Sequence, residues 1–208
     1  LYIHGQGGCK EEAKTFAEIA QTNGCQVLSI DLPGHGERKT EIENFNPWCV
    51  MPELAQVMNY AKQNWQSVSL FAQSIGAYFS MLTFPQEKLE HALFVSPIID
   101  MEYLIKRMMD WASVTEEQLK KEKIISTTFG QTLIWDYFEW VQKHPIKIWN
   151  TKTAILYGEH DNLIEQNVIE NFAAQFNCGL TVMKNGEHWF HTAEEIDFLN
   201  EWTVSCIK

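Results

Sequence analysis

Four short stretches hold the residues whose chemistry could amount to catalysis: "HGQGG" (4–8), "AQSIG" (72–76), "YGEHD" (157–161) and "NGEHWFH" (185–191). A serine hydroxyl is a poor nucleophile at neutral pH until a neighbouring base takes its proton. An imidazole does this when a buried carboxylate fixes its tautomer and stabilises the imidazolium. The tetrahedral intermediate of acyl transfer then needs backbone N–H donors aimed at its developing oxyanion, and glycines let a backbone come close enough to supply them. Each stretch also has an ordinary reading. Ser74, with Ala72 and Gly76 two positions either side, could be a helix N-cap, and Asp161 could cap the helix after it. His160, His188 and His191 could be imagined around zinc, but no thiolate or H-E-x-x-H companion accompanies them, and no metal is expected.

The elements that must position these stretches alternate along the chain. Strands are expected at "LYIH" (1–4), "QVLSID" (26–31), "SVSLFA" (67–72), "HALFVS" (91–96), "TAILYG" (153–158) and "LTVMK" (180–184). Between them lie helical patterns. Ala13, Phe16, Ala17 and Ala20 share one face before the stop signal Asn23-Gly24. Leu54, Val57, Met58 and Ala61 form a second stripe, with Pro52 read as belonging to a first helical turn. The helix after Ser74 ends before Pro85, and the last helix has Thr192 and Glu195 at capping-box spacing. Such alternation predicts an α/β fold: a three-layer sandwich whose mostly parallel sheet of about six strands carries helices on both faces. Ligands bind at the carboxyl ends of the strands in sheets of this kind. All four stretches follow predicted strands at that edge.

Residues 100–150 interrupt the rhythm with helical patterns and no good strand. They are expected to form a helical cap inserted in one domain spanning 1–208. Trp111, Trp135, Tyr137, Phe138, Trp140, Met108 and Met109 crowd this segment. Most of them should pack the insertion, while a minority, with Met108, Trp135 and Phe138 as candidates, should face an apolar substrate.

The 208 residues fit one domain, and 45% hydrophobic content provides for a sizeable core. A net charge of −11 opposes binding to nucleic acid or to an acidic membrane surface. Five scattered cysteines, none in a C-x-x-C pair, fit a reducing compartment. The chain starts without Met on a strand-like segment lacking a basic n-region or cleavage signal, and no apolar run approaches the roughly 20 residues of a membrane span. A cytoplasmic location is the expectation.

Apart from the insertion, the chain resembles the α/β-hydrolase superfamily, whose nucleophile elbow is a strained strand–turn–helix carrying G-x-S-x-G. The resemblance makes Ser74 the nucleophile, with Ala72 in place of the first glycine, Asp161 the acid and His188 the base, in the superfamily's Ser, acid, His order. It implies oxyanion donors at the backbone N–H groups of Gln6 and Ile75. Rivals for the acid are Glu159 and Asp100, and for the base His191. His4 is similar to the superfamily's structural histidine, and Asp31 and His35 in "DLPGHGER" read as loop architecture. Many members have two further strands before the one carrying "HG", so the resemblance implies a reduced sheet or a chain lacking its leading piece. The implied activity is a serine hydrolase cleaving a carboxylic ester or thioester of a small apolar acyl group, without a cofactor. C–C bond hydrolases, lyases, perhydrolases and non-catalytic ligand receptors share the scaffold and remain alternatives.

Overall fold

A computed structural model describes residues 1–207, and the chain divides into two compact units. One comprises Leu1–Ile99 and the chain from Ile148 onward; the other is Asp100–Lys147.

The first unit is built on a parallel five-stranded sheet. Its strands are β1 (Tyr2–Ile3), β2 (Leu70–Gln73), β3 (Ala92–Val95), β6 (Thr153–Gly158) and β7 (Gly179–Met183), in the order β1-β2-β3-β6-β7. The central strands are apolar on both faces because helices cover both. Phe71, Leu93, Val95 and Leu156 share a buried cluster with Ala13 and Ala20 of α1 (Ala13–Thr22) and Trp202 of α8 (Ala193–Cys206). Their neighbours Leu70, Ala72, Phe94 and Ile155 are equally buried. The two-residue period of a strand turns these to the opposite layer, where α2 (Pro47–Asn64) packs on α3 (Ile75–Thr83). The remaining helix, α7 (Gln166–Gln175), precedes β7 and packs against it.

Two expectations fail here for identifiable reasons. The segment 26–31 joins the sheet only through a single Tyr2–Ser29 bridge and the bond from the Tyr2 amide to the Leu28 carbonyl. The sheet therefore has five strands, not about six. At its end the chain is committed elsewhere: the Asp31 carboxylate accepts from the amides of Lys10 and Glu37, and the amide of the next residue, Leu32, donates to His4 Nε2 at 3.0 Å. Pro52 is not in a first helical turn. Asn46 caps α2 through Cys49 N and Pro47 opens it, which leaves Pro52 inside the helix on its exposed side.

The second unit starts with α4 (Met101–Ala112), capped by Asp100, whose carboxylate accepts from Tyr103 N at 2.9 Å. A Thr115–Gln118 capping box opens α5 (Glu116–Glu122), and α6 is Trp135–Lys143. Between them, β4 (Ile124–Ser126) and β5 (Thr132–Ile134) pair antiparallel, which corrects the expectation of a strandless segment. Ile125 and Leu133 face each other across this hairpin on its more buried side. The Gln131 carbonyl closes the turn by accepting from the Thr127 amide and hydroxyl, with Gly130 at φ 84°. Among the described residues, no helix is long and apolar enough to cross a membrane.

The approach of α3 to β1 leaves no room for a side chain at Gly76. A Cβ there would collide with the carbonyl oxygen of His4 and lie 2.8 Å from that of Ile3. Gly76→Ala is therefore expected to destabilise the fold by about 1–3 kcal/mol, read as a lower denaturant midpoint at unchanged slope.

Candidate active site

β2 delivers Ser74 into an unfavourable backbone geometry, φ 48° and ψ −123°. Non-glycine residues held there cost about 1–3 kcal/mol and persist only where the surroundings over-determine them. Here they do. The Ser74 amide donates to the Val95 carbonyl at 3.0 Å, and its own carbonyl accepts from Ala77 and Ile98, both at 3.1 Å. The backbone of Gly5 comes so close that an added Cβ would sit 3.1 Å from Ser74 Cβ. Ser74 occupies the N-cap position of α3, yet its side chain makes no capping bond. Its Oγ lies 2.9 Å from His188 Nε2 instead.

His188 follows β7, and its Nδ1 lies 2.7 Å from Asp161 Oδ2. An ionised carboxylate only accepts, so Nδ1 carries the ring proton and Nε2 is left to accept from the serine hydroxyl. Asp161 is itself fixed: its Oδ1 accepts from the amides of Leu163 at 2.8 Å and Ile164 at 3.1 Å. These bonds cap the turn after β6 and not α7, which starts later, at Gln166. The Asp161 side chain is 1% exposed and that of His188 15%, so their bond sits largely out of water. The loops carrying them are joined by backbone bonds from Glu159 N to Met183 O and from His160 N to Gly186 O. Gly158 makes this possible, since a Cβ there would collide with the Glu187 carbonyl and lie 2.5 Å from that of Gly186. Sequence reasoning passed over Gly158. Its signal in the sequence is a glycine closing the strand "TAILYG", in which Thr153, Ile155 and Tyr157 are strong strand formers.

The turn after β1 has Gly7 at φ 80° and a bond from Gly8 N to Gly5 O. Buried His4 braces it. Its Nε2 accepts from Leu32 N, so its Nδ1 donates to the Gly5 carbonyl at 2.7 Å. Burial lowers its pKa, which keeps the ring neutral. Asp31 ties the far end of this turn to the 31–38 loop, with Lys10 N at 2.8 Å, Lys10 Nζ at 2.9 Å and Glu37 N at 3.1 Å. His35 is buried with Nδ1 on the Pro33 carbonyl. Gln6 is exposed beside Gly5, and Ile75 is the first residue of α3, where an N–H has no carbonyl one turn back within the helix.

The rivals make other bonds. Glu159 accepts from Asn185 N, Asp100 caps α4, and exposed His191 turns Nδ1 to the Trp189 carbonyl. Among the described residues, no group of three His, Cys, Asp or Glu side chains is placed to hold a metal ion. Of the insertion's candidates, Trp135 and Phe138 are buried and meet edge to face at 6.0 Å, with Lys120 and Lys123 over the Trp135 ring; Met108 is half-buried.

No family model matches the sequence, and no curated protein does. Solved structures do match. Est1E from Butyrivibrio proteoclasticus, a structure with ferulic acid bound, is 18% identical with TM-score 0.79, covering 99% of this chain and 86% of its own. The chain has the α/β-hydrolase fold. Mouse alpha/beta hydrolase domain-containing protein 10 shares the fold at 13% identity and TM-score 0.74, over 99% of this chain and 88% of its own. A monoacylglycerol lipase from Paleococcus ferrophilus shares it at 15% identity and TM-score 0.62, over 98% and 93%. Within the α/β-hydrolase fold, the hydrogen-bonded chain Ser74–His188–Asp161 lies at the carboxyl ends of β2, β7 and β6.

The Asp31 anchor has a pH signature. Burial pushes its carboxyl up, but the Lys10 amide and ammonium and the Glu37 amide outweigh this and hold its pKa near 2, below its ordinary 3.8. A group lowered on folding stabilises above its unfolded pKa, and that contribution is lost as pH falls through the folded value. Asp31→Asn should thus unfold at lower temperature than wild type at pH 7. The difference should shrink as pH drops from about 3.8 toward about 2, which thermal melts across that range would show.

Proposed function

We propose that the protein is a serine hydrolase that cleaves a carboxylic ester or thioester through an acyl-enzyme. One observation carries this reading: an unbroken series of hydrogen bonds, 2.9 Å from Ser74 Oγ to His188 Nε2 and 2.7 Å from His188 Nδ1 to Asp161, on a strained turn at the strand ends. The monoacylglycerol lipase among the neighbours in fold agrees with it.

In the proposed reaction, Ser74 Oγ attacks the acyl carbon while His188 Nε2 takes the hydroxyl proton. Asp161, ionised and fixed by two amides, stabilises the imidazolium and keeps it oriented. The amides of Ile75 and Gln6 are the proposed donors to the oxyanion, each worth about 100- to 1,000-fold in turnover. Support for Ile75 is its place at the start of α3 directly after Ser74; support for Gln6 is its place after Gly5, whose backbone abuts the serine. Collapse of the tetrahedral intermediate breaks the bond to the alcohol or thiol, which leaves with the proton returned by His188. Water, deprotonated by the same imidazole, then attacks the acyl-serine, and the acid is released with Ser74 restored.

A fluorophosphonate probe is expected to label Ser74 stoichiometrically, as mapped by peptide mass spectrometry. Labelling should vanish in Ser74→Ala and in His188→Ala. Modification at another residue, or none in wild type, would remove the basis of the proposal. Asp161→Asn should stay folded and lose about 10,000-fold in turnover of an activated ester; a comparable loss in Asp100→Asn instead would reassign the acid.

A further inference from the structure

The loop that presents His188 has a single apolar anchor, Phe190, in the buried cluster of the first unit. Trp189 is 73% exposed and stacks on exposed His191, with ring centroids 4.8 Å apart, while Phe190 is buried with Met183 and Trp202. The other ties of this loop are polar. Glu195, on the first turn of α8 and 4% exposed, uses its two carboxylate oxygens on opposite sides of His188. Oε2 accepts from Thr192 N at 2.9 Å, Thr192 Oγ1 at 2.8 Å and His191 N at 3.1 Å. Oε1 accepts from Glu187 N at 2.8 Å.

A capping box needs only one of these contacts, the one to the backbone of its own N-cap residue. The bond to Glu187 does nothing for α8. It lies on the residue before His188, whereas the His191 and Thr192 bonds lie beyond it, so a single buried carboxylate brackets the histidine. Hydrogen bonds to an ionised acceptor are roughly twice as strong as neutral ones. The carboxyl is ionised throughout the neutral range: burial pushes it up, but the Glu187 and Thr192 amides, the Thr192 hydroxyl and the His191 amide hold it at about 2.

We infer that Glu195 is a positioning residue for the reaction, a bidentate clamp that sets where the loop 187–192 places the His188 ring relative to Ser74 and Asp161. The inference rests on the hydrolase reading. Asp161 fixes the ring's rotation from Nδ1, and Glu195 fixes the backbone from which the ring projects. A misplacement of about 1 Å at a reacting group can cost on the order of 100-fold, so the clamp has catalytic weight without touching substrate.

Three variants separate clamp from cap. Thr192→Ala removes the capping hydroxyl but leaves the Glu187 bond, and is expected to lower the thermal midpoint while keeping wild-type kcat. Glu195→Gln replaces one acceptor oxygen with an NH2 group facing an amide donor. Glu195→Asp keeps the charge and the local cap but is one methylene too short to span both sides. Both Glu195 variants should lose about tenfold or more in kcat and in the rate of Ser74 phosphonylation, with KM unchanged. Measurements are made well below each variant's midpoint, and Glu195→Asp decides the matter if Glu195→Gln does not fold. Glu195 variants that melt lower yet keep wild-type kcat and labelling rate would reduce Glu195 to a helix cap and overturn the inference. If wild type itself is not labelled at Ser74, the hydrolase reading falls, and the clamp is judged on the crystal structure of Glu195→Asp. A His188 Nε2 displaced out of hydrogen-bonding range of Ser74 Oγ supports it; the 2.9 Å separation retained overturns it.

Discussion

The backbone of Ser74 is the constraint from which the rest of the site follows. An L-residue at φ 48°, ψ −123° is strained, and the strain aims a hydroxyl away from the helix it begins. Locally, only the Ala77 amide among the described bonds supports the Ser74 backbone; the rest of the compensation is long-range. It comes from the sheet: β3 accepts the Ser74 amide through Val95, and the turn after β3 returns Ile98 N to the Ser74 carbonyl. Glycine at 76 lets α3 lie against the carbonyls of Ile3 and His4, and glycine at 5 lets the next turn close over the serine. A sheet whose central strands are buried on both faces is stiff enough to hold such a conformation. An edge strand or a free loop would relax it.

Bringing the other two side chains to that hydroxyl is a problem of joining loops. The turns after β6 and β7 are bonded backbone to backbone, and Gly158 removes the Cβ that would hold them apart. Asp161 and His188 thus belong to one rigid pair of turns before their side chains meet. The carboxylate then has every oxygen engaged, with two amides on Oδ1 and the imidazole on Oδ2. With its side chain 1% exposed, it has little water to compete for those bonds, which keeps the imidazole in one tautomer and one orientation.

How much of this was legible in the sequence depends on the range of the interaction. Buried parallel strands such as "HALFVS" and "TAILYG" are read from composition and length, since both faces are apolar. The spacing Ala72-x-Ser74-x-Gly76 is legible because crowding at a tight turn is a local matter. Segment 26–31 has the composition of a strand, but the chain at its end is held by His4 and by the backbone of Lys10, both distant in sequence, as well as by the nearer Glu37 amide. The hairpin of β4 and β5 escaped notice because three-residue strands are too short to establish a period of two. Pro52 misled because a proline on the exposed side of a helix is tolerated once Asn46 and Pro47 have set the start. The Thr192–Glu195 spacing announced a cap, whereas the second oxygen of Glu195 reaching Glu187 across His188 has no sequence signature. Convergence of Ser74, Asp161 and His188 could be expected from their strand ends, but the distances belong to the folded chain alone.

The state of the His188 ring tests the account most directly, because every catalytic role assigned to Ser74 and Asp161 passes through it. Nitrogen-15 NMR of protein labelled in its imidazole rings, recorded near neutral pH, distinguishes the two ring nitrogens. The account predicts a neutral His188 with its proton on Nδ1, shifted downfield by the bond to Asp161 and lost in Asp161→Asn, and with Nε2 acting as an acceptor. A proton residing on Nε2, or a ring signal unaltered when residue 161 is changed, would contradict it.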